Sequence, residues 1–239
     1  MTFEISPIGF LKTPYREKFG VPRQPGLVSA AEGWLEFLPE LSDRKMLRGL
    51  EEFSHVWLIF IFHESLERGW QATVRPPRLG GNIRQGVFAT RSPFRPNPLG
   101  LSRAELLGIE ERNGRIGIRL GGIDLVDGTP IVDIKPYLPY VDAIPEATGG
   151  RFQNRPTAAL EVDFTPEADA QLEWQLRHHP QLRELIVQVL QQDPRPGYQK
   201  TEAGRTYGVR LFELNIRWQI DAGIVRVLEI APWQKQTRE

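Results

Sequence analysis

Two strand-like runs, Ser102 to Glu110 and Arg115 to Leu120, flank the dipeptide Asn113-Gly114. Asn-Gly between such runs is the strongest short-range hairpin signal, because both central residues of a tight two-residue turn need positive φ. The pair therefore predicts two antiparallel strands in mid-chain. Further strand-like stretches lie on either side with little helical pattern between them. They are Phe3 to Phe10, broken by Pro7; Trp34 to Leu38; the apolar run His55 to Phe62; Gly86 to Thr90; and Ile131 to Tyr137, cut by Pro136. The run His55 to Phe62 reads as a strand buried on both faces. Ser42 is placed to cap one short helix over about 43–51. Strands that follow one another in this way predict a mainly β fold, an antiparallel β-barrel rather than a βαβ sheet.

The pattern changes after a loop-like stretch at 142–156. Ala158 to Phe164 reads as a strand. Thr165 caps a helix that starts at Pro166 and runs to about His178. A second helix, about Pro180 to Gln192, carries Leu182, Leu185, Ile186, Val189 and Leu190 on one face. Tyr207 to Ile220 and Ile224 to Ile230 then form a hairpin over Asp221-Ala-Gly. The expected organisation is a β-barrel domain at 1–145, a linker at 146–156 and a small α+β domain at 157–239.

Several function classes are excluded by what the chain lacks. With no Cys among 239 residues there is no disulfide framework, thiolate metal site or cysteine nucleophile. No GxGxxG follows a strand and no Gly-Lys pair occurs, so neither a Rossmann fingerprint nor a P-loop is present. His63-Glu64 is followed by Glu67 rather than a second His, which breaks the zincin pattern. His55, His63, His178 and His179 make no credible metal set, so no metal is expected. The longest apolar run, Val56 to Phe62, is far short of the roughly 20 residues that span a bilayer. The first residues, MTFEISPIGF, carry neither a basic n-region nor a signal-length apolar stretch. The expectation is a soluble cytoplasmic protein with no membrane partner.

Net charge is zero, 30 basic against 30 acidic residues, which argues against a nucleic-acid partner on average. The average conceals a window. From Arg68 to Arg103 there are seven Arg and no Asp, Glu or Lys. A GC-rich coding sequence favours Arg over Lys anywhere, but it does not remove acids from one window. Arg75, Arg78 and Arg84 are candidate phosphate contacts there.

The same window contains Thr90-Arg-Ser-Pro-Phe-Arg-Pro-Asn-Pro-Leu-Gly-Leu-Ser102. Its three prolines fix φ and push their predecessors into extended backbone. Such a loop holds Arg91, Arg95 and Asn97 in one arrangement at low entropic cost. Arg offers a bidentate fork to carboxylate or phosphate. A rigid turn whose Arg residues satisfy nearby carbonyls is the other reading of these residues. On the strand downstream, Asp133, Lys135 and Tyr137 share one face by period two, while Val132 and Ile134 face the other way. A half-buried strand with a polar outer face is the plain alternative.

The stretch Arg91-Ser-Pro-Phe-Arg-Pro-Asn-Pro-Leu-Gly100 resembles the signature of the TsaA-like family. Pro22-Arg23-Gln24, His63-Glu64, Asp124-Leu-Val-Asp-Gly-Thr-Pro130 and Asp133-Ile-Lys-Pro-Tyr137 match in order. Many members carry His-Asp where this chain has His63-Glu64. Asp193-Pro-Arg-Pro and Tyr207-Gly resemble the C-terminal part of bacterial members.

The resemblance implies a tRNA (adenine-N(6))-methyltransferase that uses S-adenosylmethionine. Members methylate threonylcarbamoyl-adenosine 3′ of the anticodon, bind the cofactor on a β-barrel and act as homodimers. By motif, the implied cofactor contacts are Pro22, Arg23, Gln24, His63, Glu64, Arg91, Leu101, Asp127, Gly128, Thr129 and Pro130. Arg suits the methionyl carboxylate. Glu64, Gln24 and Asp127 suit the ribose hydroxyls and the ammonium, and Leu101 suits the adenine. Taken singly, Arg23 also reads as a solvated charge, His63 as a strand-end histidine and Asp127-Gly128 as a turn. Asn97, Asp133, Lys135 and Tyr137 are expected to bracket the target base, with Tyr137 stacking on it. Arg95, with Arg195, Tyr198 and Lys200 of a second stiff loop, joins the expected RNA contacts. Two rival classes are a non-catalytic S-adenosylmethionine-binding regulator and a methyltransferase of small molecules.

Overall fold

The computed structural model describes residues 2–79, 82–154, 156, 160–195 and 204–234. The hairpin predicted at Asn113-Gly114 forms as β6 (Leu99–Arg112) and β7 (Arg115–Gly121). Asn113 and Gly114 take φ of 53° and 73°, the left-handed pair that a tight hairpin turn demands. Four more strands join it: β1 (Gly9–Lys12), β2 (Glu32–Phe37), β3 (His55–Ile61) and β8 (Thr129–Pro136). All neighbours are antiparallel, in the order β1-β2-β7-β6-β3-β8, and β8 pairs back onto β1. Every strand thus has two partners and the pairing forms a ring. One apolar cluster fills it, with Leu11, Leu35, Val56, Leu58, Phe60, Ala104, Ile118, Leu120 and Ile131 contributed from all six strands.

Several local expectations are corrected. β3 is not buried on both faces; its burial alternates, with Val56, Leu58 and Phe60 inside. A strand in a ring has one face toward the core, so its outer face can be apolar for another reason. The helix expected at 43–51 is two 3-10 turns, Arg44–Leu47 and Leu50–Glu52, split by Gly49 at φ 84°. Asp43, not Ser42, caps the first by accepting from Lys45 N; Ser42 accepts from Ile116 N at 3.0 Å instead. The first strand starts at Gly9, beyond Pro7. Gly86 to Thr90 is a 3-10 turn after a two-stranded ribbon, β4 (Thr73–Val74) and β5 (Gln85–Gly86).

The C-terminal part runs β9 (Glu161–Phe164), α2 (Pro166–Gln175), α3 (Leu182–Gln191), β10 (Tyr207–Leu211), β11 (Leu214–Asp221) and β12 (Ile224–Pro232), after a short α1 (Pro139–Asp142). The sheet order is β10-β11-β12-β9, with β9 parallel to β12 across the two helices. Thr165 Oγ1 accepts from Ala168 N at 3.2 Å and Pro166 opens α2, as the sequence predicts. All five apolar residues expected on α3 are buried. Phe212, at φ 54°, breaks the expected strand Tyr207 to Ile220 in two.

The second apolar cluster is not built from the C-terminal part alone. Tyr15, Val28, Ala30 and Ala31 pack in it. Tyr15 bridges to Leu211, and Phe212 donates its N–H to Pro14 O at 2.7 Å. Arg16 Nε donates to Phe212 O at 3.2 Å, and Gln188 accepts from Ala30 N at 3.0 Å. Fully burying Val28 alone contributes about 1.5–3 kcal/mol.

Candidate active site and nucleic-acid surface

β3 organises the site, because its outer row of side chains continues across both neighbours. Leu101, Ile59 and Asp133 stand in register, as do Arg103, Trp57 and Lys135. Tyr137 donates its N–H to His55 O at 3.0 Å and tilts its ring against Trp57, 5.6 Å between centroids. Asp133, Lys135 and Tyr137 therefore share the outward face. Period two alone does not put them there. Ile131 is buried opposite Phe60, and a bulge at Val132 then turns Asp133 outward opposite Ile59. Bulges beside active sites re-aim side chains in this way. Lys135 Nζ lies 2.9 Å from the Asp133 carboxylate.

At the end of β3 the chain enters a 3-10 turn, His63–Arg68. Phe62 N donates to Pro98 O at 2.9 Å, which sets His63 and Glu64 beside the Pro-rich loop and exposed Asn97. A cavity of about 220 Å³ opens here. Phe60, Phe62, Leu125 and Val126 form its apolar wall, and Lys18, His63, Glu64, Asp124 and Thr129 its polar one. Lys18 Nζ donates to Glu64 O at 2.7 Å and sits 3.7 Å from the Glu64 carboxylate. Gly100 lies under Phe60: a Cβ there would meet the ring at 2.1 Å. The glycine of the signature thus lets Phe60 form the wall.

Asp124 is the least ordinary group of the pocket. Burial pushes its carboxyl up to about 6, against the opposing pull of the Ser102 hydroxyl and the Arg91 charge. Ser102 Oγ donates to it at 2.5 Å. Nearby, burial first and the Asp124 charge second raise the Tyr15 phenol, whose hydroxyl is buried with no hydrogen-bond partner.

A ladder of hydroxyl contacts braces the Pro-rich loop. Ser92 N donates to Thr90 Oγ1 at 3.2 Å and Phe94 N to Ser92 Oγ at 3.3 Å. Arg91 Nη1 donates to Gln24 Oε1 at 2.6 Å, joining two of the expected cofactor contacts. Arg23 is exposed beside them and Pro22 is buried.

Other expected residues are placed elsewhere. Asp127, Gly128, Pro130 and Leu101 do not line the cavity. Asp127 also braces its own turn: Thr13 N donates to it at 2.9 Å, and Arg16 pairs with its other oxygen. Gly128, at φ 77°, completes that turn. Leu101 is 55% exposed on the outer face beside Ile59. Arg95 is no free phosphate contact; its Nη1 donates to Val87 O and Thr90 O at 3.2 and 2.8 Å. Arg195 is interior, 6% exposed and forked onto Asp193 at 2.8 and 3.2 Å, so it is not displayed to RNA. Arg75 and Arg84 are exposed, and Arg84 also donates to Thr73 Oγ1 at 3.1 Å. The Arg78 side chain, Tyr198 and Lys200 lie outside the described residues. Sequence reasoning passed over Asp124, Lys18 and Ser102. Asp124 stood in the sequence only as the first residue of the matched stretch to Pro130, between Ile123 and Leu125, with nothing to mark it as a pocket residue.

Among the described residues no cluster of His, Asp and Glu is arranged for a metal, and no helix is long and apolar enough to cross a membrane.

Comparison with known proteins shows the family of the chain. Residues 10–143 match the tRNA-methyltransferase O N-terminal domain, and residues 157–233 match the TrmO C-terminal domain. The chain is 50% identical over 224 residues to the tRNA (adenine(37)-N6)-methyltransferase of Escherichia coli (strain K12), covering 93% of this chain and 95% of that protein. It is 48% identical to a putative S-adenosylmethionine-dependent methyltransferase, RcsF, of Pseudomonas aeruginosa, over 97% of this chain and 99% of the relative. A solved structure described as TrmO superposes with a TM-score of 0.81 at 42% identity, covering 97% of this chain and 100% of its own. The chain belongs to the TrmO family of tRNA methyltransferases.

Proposed function

We propose that this protein is an S-adenosylmethionine-dependent tRNA (adenine-N(6))-methyltransferase acting on the threonylcarbamoyl-adenosine 3′ of the anticodon. The observation that carries this reading is the mainly apolar cavity with half-buried Asp124 at the end of the β3 outer row. Asp133 lies opposite Ile59, two residues from cavity-lining Ile61. Two residues along a strand are about 7 Å, a distance that one methyl donor and one acceptor base can span together.

The donor set suits the cofactor. Asp124 and Glu64 provide acceptors for hydroxyls and an ammonium, and Arg91 and Lys18 provide cations for a carboxylate. Phe60, Phe62 and Val126 provide apolar surface for a base. At about 220 Å³ the cavity is smaller than the roughly 300–1,000 Å³ of most ligand pockets. It takes one end of the cofactor, and the Arg91–Gln24 pair outside it takes the other. When bound, S-adenosylmethionine supplies an electrophilic methyl group. The residues of the chain contribute position: a Pro-rich loop, a bulged strand and a half-buried carboxylate hold the partners in line, an effect that supplies about 7–11 kcal/mol in favourable cases. Asp133 or Asn97 accepts a hydrogen bond from the adenine amino N–H, whose proton leaves to the Asp133 carboxylate or to solvent on methylation; Tyr137 stacks on the base, and Lys135, beside Asp133, faces the threonyl carboxylate.

On this reading the six-strand ring is the cofactor-binding β-barrel. Residues 1–145 form that domain, 146–156 a linker and 157–239 the smaller domain. Arg75, Arg78 and Arg84 bind phosphates. The apolar outer face, with Leu101, Tyr140, Val141 and Ile144 each more than half exposed, is covered in a homodimer. The protein works in the cytoplasm, with its tRNA.

The test is incubation with S-adenosylmethionine and tRNA from a strain lacking the protein, followed by nucleoside mass spectrometry. Methylated threonylcarbamoyl-adenosine is the expected product. Cofactor binding without transfer would instead identify a regulator. Unchanged single-turnover rates in Asp133→Asn, Asn97→Ala and Tyr137→Phe would remove those residues from the chemistry.

A further inference from the structure

Two large aromatic side chains stand exposed in the acid-free window. Trp70 is 61% and Phe88 76% exposed, and neither packs on an apolar cluster. The β4–β5 ribbon places them at one end. Thr73 pairs with Gly86, and Val87 N donates to Ala72 O at 3.0 Å. Trp70, two residues before Ala72, and Phe88, one after Val87, therefore flank the same closing pair of the ribbon. Gln71 N donates to Phe94 O at 3.1 Å, fastening this end to the Pro-rich loop.

Phe88 is also held in place. The Arg95 guanidinium lies 5.5 Å from its ring centroid and is itself fixed on Val87 O and Thr90 O. The internal bonds of Arg95 thus have a purpose: they steady a ring that solvent reaches. In the same segment Arg68, Arg75, Arg84 and Arg91 are exposed, and the sequence from 68 to 103 contains no acid. Open aromatic faces among cations match a polyanion whose bases are unpaired.

We propose that Trp70 and Phe88 form a stacking platform for unpaired bases of the RNA substrate, with the surrounding arginines on its phosphates. This rests on the tRNA reading above and deepens it: the surface grips a single-stranded loop rather than a paired stem.

The test is equilibrium binding by the full chain, without cofactor, to an anticodon stem-loop RNA and to a fully paired duplex of equal length. Trp70→Ala and Phe88→Ala each weaken stem-loop binding roughly 5- to 100-fold. They leave duplex binding and the salt slope unchanged, whereas Arg75→Ala lowers the log–log slope by about 0.7. Trp70→Phe and Phe88→Tyr restore affinity. Unchanged stem-loop affinity in the double alanine variant overturns the platform and leaves the methyltransferase reading intact. No RNA binding by the unaltered protein overturns both. If the double variant instead turns a dimer into monomers on sedimentation, a second copy of the chain covers the patch and the proposal falls.

Discussion

Asp124 ties the stability of the fold to pH through a single side chain. Its folded carboxyl keeps a proton up to about pH 6, while its ordinary value is 3.8. The folded state therefore binds more protons than the unfolded one between those values, and stability falls as pH rises from about 4 to 6. Above that window the cost is about 3 kcal/mol. Asp124 keeps partial exposure on the cavity wall, so this is an upper bound. Asp124→Asn is expected to flatten that decline in chemical denaturation and to weaken binding of the cationic cofactor. In the unaltered protein the same affinity should rise with pH through about 6. A decline that persists in the variant would contradict the assignment. Gly100→Ala drives a methyl into the Phe60 ring. It should cost about 1–3 kcal/mol in thermal or urea unfolding and loosen cofactor binding with it. At this scale motifs gave position but not surroundings. Arg91 and Glu64 were legible because motif residues keep their order in the chain. Asp124 was not, because burial is a property of what folds over a residue. Arg195 misled for the same reason: an internal ion pair looks like a displayed cation when written as letters.

At the scale of elements, local chemistry was read well wherever a turn or a cap decides the structure. Asn113-Gly114, Thr165-Pro166 and the apolar face of α3 all stand as expected. Where partners decide, the reading failed. The alternation of β3 was hidden because its outer face, with Trp57, Ile59 and Ile61, is apolar too. The bulge at Val132 has no signature in a sequence, yet it decides which way Asp133 points. The ribbon β4–β5 is too short to register, and it is the element that displays the arginine window. Arg75→Glu with Arg84→Glu should lower tRNA affinity and make its salt slope shallower by about 0.7–0.9 for each lost contact. An unchanged slope in filter binding would move the RNA surface elsewhere.

Across the whole molecule, the chain reads as two sheets, but their interiors do not divide where the sequence does. Tyr15, Val28, Ala30 and Ala31 belong by position to the ring of strands and by packing to the C-terminal sheet. Arg16 links the two again, through Asp127 on one side and Phe212 O on the other. Cutting the chain after residue 154 should therefore expose an apolar face and release the turn at Asp127. The expected outcome is an N-terminal fragment that is poorly soluble and has lost cofactor binding as well as RNA binding, measured by calorimetry. A fragment that binds cofactor normally would show the ring to be self-sufficient. The long-range pairing also bears on biosynthesis. Arg16 and its partner Phe212 are separated by 196 positions. At about 5–20 residues per second, the N-terminal segment waits roughly 10–40 s on the ribosome before its covering strand exists. Through that interval Tyr15 and Val28 have no shelter, so the nascent chain is a natural client for chaperones until β10 emerges.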